Sequence, residues 1–302
     1  MKRNLISMLD VKDDLEKIID LSIKLKKKSK KGESIELLKG KTLGMIFEKS
    51  STRTRVSFEV GMTKLGGHAI FLSKNDIQLG RGETIEDTAL VLSRYCDIIM
   101  YRAMSNEAMK ELAKYSTVPV ISGLDDKEHP CQIVTDLMTI KEHKGSLRGL
   151  NLVYIGDGRN NMAHSYILGC SIVGMNVKIV SPKNYWPDNY FVSESKKFGT
   201  KLQITDIVDG ATNNADVVAT DTWVSMGDEK EKVKRIKDFQ SYTVDEKLMS
   251  LAKNDAIFLH CLPAYYGYEV TKEVAHGKQS VIFDEAENRL WAQVGIMVTL
   301  CK

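Results

Sequence analysis

Two periodicities share the chain almost from end to end. In the first half, short apolar runs read as buried strands at Thr42–Phe47, 69–73, 97–102 and 118–122. In the second half they recur at 152–155, 177–180, Leu202–Thr205, Val217–Thr220, 256–260 and 281–284. Between them, apolar residues spaced three and four apart predict helices. One covers 10–28, with Leu15, Ile18 and Leu25 on its inner face. Another begins within 53–56, carries Val56, Val60 and Leu65 along one side, and stops at Gly66-Gly67. A third starts at Thr84-Ile85-Glu86-Asp87, which has the form of a capping box, and ends near Tyr95. A fourth is Asn106–Tyr115. His129-Pro130-Cys131-Gln132 opens a longer helix with Ile133, Leu137, Met138 and Ile140 inward, running to about His143 and ending at Gly145. A last helix spans 285–300. Alternating strand and helix predicts α/β architecture with mainly parallel sheets. The helix from His129 is placed to bridge two domains.

Length agrees, since 302 residues suffice for two cores of ordinary size. Hydrophobic residues at 43% and charged residues at 27% describe a soluble globular chain. A net charge of +3 is too small to argue for nucleic acid. The lysine cluster at 24–31 has no interleaved aromatic residue and overlies a helix face, so it reads as a solvated helix end. The 5 cysteines are widely spaced, odd in number and free of any C-x-x-C pair. That points to a reducing compartment and away from a disulfide framework or a structural zinc. With no signal peptide evident and no run of bilayer length, the expected location is the cytoplasm, without a membrane partner.

The chemistry concentrates where strands end. After the strand Thr42–Phe47 comes Glu48-Lys49-Ser50-Ser51-Thr52-Arg53-Thr54-Arg55. Unpaired backbone N–H groups at a helix start, with the positive end of its dipole, favour an anion. Hydroxyls and two guanidinium groups on the same turn add donors that fit phosphate oxygens, beyond what an ordinary capped helix needs. The turn Gly156-Asp157-Gly158-Arg159-Asn160-Asn161 invites a dinucleotide reading, but Asn161 replaces the third glycine and no acidic residue closes the next strand. Its two asparagines either hold a carboxylate or cap the helix. Two further turns, Asp221 to Gly227 and His260-Cys261-Leu262-Pro263-Ala264, follow apolar strands and belong at the carboxyl edge of a parallel sheet, where ligands gather.

Together these stretches resemble the ornithine carbamoyltransferases. Ser51-Thr52-Arg53-Thr54-Arg55 is similar to the family's carbamoyl-phosphate motif and His129-Pro130-Cys131-Gln132 to its second. Asp221-Thr222-Trp223-Val224-Ser225-Met226-Gly227 resembles its D-x-x-x-S-M-G loop, and His260-Cys261-Leu262-Pro263 its H-C-L-P turn. The four occur in the family's order across nearly the whole chain. The sister aspartate enzymes resemble this chain at the first motif but carry H-P-L-P where Cys261 stands, and a lysine where Gln78 falls.

The resemblance implies two three-layer α/β domains with the active site in the cleft between them. The first, 1–135 completed by the C-terminal helix 286–302, binds carbamoyl phosphate; the second, 136–285, binds ornithine. It implies carbamoyl transfer to the ornithine side-chain amine, giving citrulline and phosphate, in arginine biosynthesis or degradation. For carbamoyl phosphate it implies Ser51, Thr52, Arg53, Thr54, Gln78, Arg102, His129, Gln132, Cys261, Leu262 and Arg289. Asn161, Asp221, Ser225 and Met226 would hold ornithine, and Arg102, His129, Cys261 and Asp221 are the catalytic set. It implies a homotrimer or multiple of trimers, with Gln78 on a polar loop, 74–82, that is too weakly patterned to pack as core and reaches a neighbouring subunit. No metal or organic cofactor is expected. An oxidoreductase would need the nucleotide fingerprint that Gly156 to Asn161 fails to supply. A sensor would keep the anion site without turnover.

Overall fold

The computed structural model describes residues 2–79, 81–224 and 229–301. The chain divides into two compact units, Met1–Met138 with Glu287–Lys302, and Thr139–Ala286.

In the first unit, α1 (Leu15–Lys30) precedes β1 (Thr42–Phe47), α2 (Thr52–Lys64), β2 (His68–Ser73), α3 (Ile85–Tyr95), β3 (Ile98–Arg102), α4 (Asn106–Tyr115) and β4 (Val120–Leu124). Among the described residues the four strands pair in the order β2-β1-β3-β4, all parallel. The direction of travel across the sheet reverses between β1 and β3, so their carboxyl ends flank the crevice where such sheets bind ligands. β1 and β3 are almost wholly buried, as apolar runs of five or six residues covered on both faces must be. Ile46, Ile99, Tyr101, Met109, Leu112 and Val120 form much of one core cluster. Each of α2, α3 and α4 starts on a hydroxyl cap, with the side chains of Ser51, Thr84 and Ser105 accepting from the N–H three residues on.

α5 (Pro130–Lys144) contains the first division of the chain. Its residues from Pro130 to Ile140 are buried all round, including Gln132, Thr135, Asp136 and Thr139.

The second unit continues with β5 (Asn151–Ile155), α6 (Asn161–Ile172), β6 (Asn176–Val180), α7 (Asn189–Ser195), β7 (Leu202–Thr205) and β8 (Val217–Thr220). α8 (Lys232–Phe239), α9 (Glu246–Leu251), β9 (Ile257–His260) and α10 (Lys272–Ala275) follow. Its described strands pair as β7-β6-β5-β8-β9, again all parallel, and here the reversal falls between β5 and β8. Val153, Val218, Trp223, Phe239 and Phe258 anchor its core. α11 (Ile282–Leu300) starts in this unit and ends in the first.

Several expectations need correction. The run 281–284 is not a strand. From Ile282 on it is the first turn of α11, because three or four apolar residues fit either period and the helix pattern continues unbroken to Leu300. On α2, Val56 and Val60 are exposed at 50% and 38%. The inner face is Thr54, Ser57, Phe58, Gly61 and Met62, with the Ser57 hydroxyl satisfied by the Arg53 carbonyl at 2.6 Å. β4 lies two residues later than expected, past a register shift at Tyr101/Arg102. The loop 74–82 does contribute to the core, since Leu79 is buried and Ile77 packs against the same cluster. The short helices α7 to α10 carry too few turns to show a period.

α11 packs on α1 through glycine. A Cβ on Gly295 would fall onto the Ser22 hydroxyl and 3.2 Å from the Ile18 carbonyl. Gly295→Ala should therefore lower stability by about 1–3 kcal/mol. Adding Ser22→Ala should restore part of the loss. Thermal unfolding that leaves the single variant at the wild-type midpoint would show that the two helices do not need this contact.

Candidate active site

In the first unit the site is built around one guanidinium. Arg289, on α11 and only 5% exposed, donates to Thr54 Oγ1 at 3.2 Å, to Gln132 Oε1, and to His129 Nε2 at 3.1 Å. Thr54 stands in the first turn of α2, and His129 and Gln132 at the start of α5. A guanidinium only donates, so His129 Nε2 accepts and the ring proton sits on Nδ1. Burial, then the charges of Arg289 and Arg102, hold this imidazole well below its ordinary range. Gln132 donates its Nε2 to Asp136, one helical turn on, at 2.7 Å.

The turn that opens α2 joins this cluster through Thr54. Ser51 caps α2 by accepting from the Thr54 N–H at 3.3 Å. Thr52 and Arg53 are exposed on the first turn, where the backbone N–H groups point outward. Arg55 is used elsewhere: its guanidinium lies 3.7 Å over the Phe71 ring and 3.4 Å from Glu59. Arg102, at the end of β3, is buried and donates to the Gly123 carbonyl at 3.2 Å. Gln78 is exposed on its loop, and the described structure does not bring its side chain to the Arg289 cluster.

Two further carboxylates organise this unit, and sequence reasoning missed both. Glu48 accepts from the Tyr101 hydroxyl at 2.8 Å, the Met104 N–H at 2.7 Å and Lys74 at 3.1 Å, tying the ends of β1 and β3 to the start of the loop at 74. Glu128, next to His129, is 3% exposed and accepts from the Met8 N–H at 2.9 Å.

In the second unit the ends of β5, β8 and β9 converge. Asp221 accepts from the Cys261 thiol at 3.3 Å and from Asn160 Nδ2 at 3.3 Å. Asn160 is the N-cap of α6, taking the Ala163 N–H at 2.8 Å, and it also donates to the Tyr154 hydroxyl. Capping therefore falls to Asn160. Asn161 is the first helical residue, half-buried beside it. Burial pushes the Asp221 carboxyl up, while His260, the Thr222 N–H and the Cys261 thiol pull it the other way. Leu262 has φ +57, in the left-handed region, and donates its N–H to His260 Nδ1 at 2.9 Å. His260 Nε2 faces Glu269 at 3.2 Å. Ser225 and Met226 lie outside the described residues.

Asp221, His260 and Cys261 bring metal-ligating atom types within 4.8 Å of one another. Both nitrogens of His260 already face partners, so an ion would have to displace the Leu262 N–H or Glu269. Asp157 in the glycine turn is likewise committed, to Arg235 at 2.6 Å. A Cβ on Gly158 would meet the Tyr185 carbonyl at 2.7 Å, so that glycine serves the turn's own packing.

These features define a two-unit α/β protein with a buried arginine-centred cluster in one unit and a carboxylate–thiol pair in the other. The chain belongs to the aspartate/ornithine carbamoyltransferase family. Residues 3–142 match its carbamoyl-P binding domain and residues 148–300 its Asp/Orn binding domain. A relative from Caldicellulosiruptor saccharolyticus, named ornithine carbamoyltransferase, is 54% identical over 99% of this chain and 98% of its own. One from Thermoplasma volcanium, named ornithine carbamoyltransferase, catabolic, is 50% identical over 99% of this chain and 98% of its own. The solved ornithine carbamoyltransferase from Pyrococcus furiosus is 45% identical with a TM-score of 0.94, covering 98% of this chain and 96% of that one.

Glu128 generates a test. Burial pushes its carboxyl from 4.5 up to about 7. A raised acid binds more protons folded than unfolded, so its contribution to stability falls as pH rises from about 4.5 to about 7. Glu128→Gln removes that slope and should gain on wild type across this window, by on the order of 3 kcal/mol at pH 8. Urea unfolding at several pH values measures it. A constant difference between the two proteins would refute the assignment.

Proposed function

We propose that this chain transfers the carbamoyl group of carbamoyl phosphate to the side-chain amine of L-ornithine, giving L-citrulline and phosphate. The observation that carries ornithine over aspartate is the Asp221–Cys261 pair. Aspartate would bring a second carboxylate against Asp221, whereas an amino acid with a neutral or cationic side chain brings only its α-ammonium. Ornithine acylated at its α-nitrogen would lack the positive charge that Asp221 meets in this reading.

In this reading Ser51, Thr52, Arg53, Thr54 and Gln78 hold the phosphate, and Arg289 adds a contact from below. Arg102 and the Nδ1–H of His129 face the carbonyl oxygen, where charge grows in the tetrahedral transition state; each such donor is worth roughly 3 kcal/mol of barrier. Gln132 and the backbone carbonyls of Cys261 and Leu262 accept from the carbamoyl NH2. Asn161, Asp221, Ser225 and Met226 take the α-carboxylate and α-ammonium of ornithine. An amine with a pKa of ~10.4 is neutral in about one molecule in a few thousand at pH 7, so enclosure beside Cys261 raises the reactive fraction. The N–C bond forms as the C–O bond to phosphate breaks, and the departing phosphate takes the amine proton. Run forward the product suits arginine biosynthesis; run backward the same site serves arginine degradation.

A homotrimer or a multiple of it, acting in the cytoplasm, completes the proposal. Val56 and Val60 on α2, Ile70 on β2, and Leu90 and Val91 on α3 are exposed apolar residues that suit self-association. No cysteine among the described residues is in a disulfide, as a reducing compartment favours. No described helix is long and apolar enough to cross a membrane.

Citrulline formation from the two substrates tests the activity; its absence would end the proposal. Norvaline isolates Asp221, because it keeps the α-groups and lacks the reacting amine. With carbamoyl phosphate bound, Asp221→Asn should weaken norvaline by roughly 2–3 kcal/mol and leave carbamoyl-phosphate affinity nearly unchanged. Titration calorimetry decides, and unchanged norvaline affinity would move Asp221 off the α-ammonium.

The shared site has its own test. Inactive Gln78→Ala and Arg53→Ala subunits, mixed and allowed to exchange, should recover part of the wild-type rate if Gln78 serves a neighbour's phosphate. Hybrids that stay inactive would confine each site to one chain.

A further inference from the structure

Gln132 can recognise a carbamoyl group only if its amide faces one way. Its oxygen can accept from the carbamoyl NH2, whereas its nitrogen would set donor against donor. Nothing intrinsic to glutamine chooses between the two orientations, because they differ little in shape. The neighbours choose. Arg289 offers only N–H donors and lies on Oε1, while Asp136 presents carboxylate oxygen to Nε2 at 2.7 Å. Turning the amide over would put N–H against N–H at Arg289 and oxygen against oxygen at Asp136. An amide oxygen has two lone pairs, so Oε1 can keep Arg289 and take the ligand's N–H as well.

The two neighbours differ in constancy. Arg289 is a long side chain that also reaches Thr54 and His129, and in the reading above it answers to the phosphate. Asp136 shares α5 with Gln132, one turn on, at a position with no exposure. Its hold is fixed by helix geometry and does not depend on what Arg289 is doing. We propose that Asp136 is a positioning residue for substrate choice: it locks the Gln132 carboxamide with oxygen outward, so the site selects a carbamoyl group over an acyl group of the same size. This rests on the carbamoyl-phosphate reading and deepens it.

The test uses two stable compounds of equal shape, phosphonoacetamide and 2-oxopropylphosphonate, which differ only in NH2 against CH3. Affinities are measured by calorimetry on the intact wild type and on Asp136→Ala, Asp136→Asn and Gln132→Leu. Wild type should prefer the amide by about tenfold or more, the scale of one hydrogen bond. Asp136→Ala should bring that preference close to one, mainly by weakening the amide. Asp136→Asn, nearly isosteric and able to donate as well as accept, guards against simple loss of fold and should lie between. Gln132→Leu should abolish the preference, and adding Asp136→Ala to it should change nothing further.

Equal weakening of both compounds, or a preference that survives both Asp136 variants, would overturn the assignment and leave the carbamoyl-phosphate reading standing. A wild type that binds both compounds equally would do the same. A wild type that binds neither would overturn the reading, and the inference with it.

Discussion

A buried cation at Arg289 is the constraint on which the first unit's chemistry depends. Removing a guanidinium from water costs several kcal/mol unless polar groups meet it. Here they come from two distant stretches, Thr54 in α2 and His129 with Gln132 in α5. Each is thereby oriented. The Thr54 hydroxyl turns a lone pair inward, Gln132 turns its oxygen, and His129 keeps its proton on Nδ1. The same charge helps hold His129 neutral, so the ring can accept on one side and donate on the other. The C-terminal helix is thus a working part of the first unit, although its start belongs to the second.

The second unit answers with the opposite sign. Asp221 is pushed towards its protonated form by burial and held by two donors of modest strength, an amide and a thiol. Such a carboxylate gains from an arriving cation and loses from an arriving anion. The first unit has the reverse preference, with Arg289, Arg102 and an open helix start. In the proposed reading a phosphate and an α-ammonium are thereby drawn to different units by electrostatics before any shape is considered. Aspartate and ornithine share their α-groups, so in the proposed reading discrimination falls on what lies near Asp221 and Cys261.

Much of this was legible because strand ends carry it. Apolar runs of four to six residues marked β1, β3, β5, β8 and β9, and the polar residues after them had to lie at one sheet edge. What was hidden came from tertiary packing. Val56 and Val60 follow a helical spacing yet face outward, because small and hydroxyl residues at Thr54, Ser57 and Gly61 let α2 approach its neighbours more closely. The run at 281–284 has no period long enough to distinguish a strand from a helix start. Glu48, half-buried, and Glu128 and Asp136, buried, are polar residues that sequence patterning assigns to the surface, and only their partners explain their positions. Asp136 alone had a local signal, its place one helical turn after Gln132.

Glu128 and His129 show how two perturbed groups can steady one turn. Burial raises the acid to about 7 and depresses the imidazole below its ordinary 6.5. As pH falls from 6.5 towards 4.5, Glu128 takes a proton more readily folded than unfolded and adds stability. Over the same range the unfolded chain protonates its histidine while the folded one resists, and stability is lost. The two slopes oppose each other between neighbouring residues. A turn that must keep His129 neutral beside two arginines would, with that histidine alone, weaken steadily in mild acid. With Glu128 buried next to it, the loss is offset where it begins.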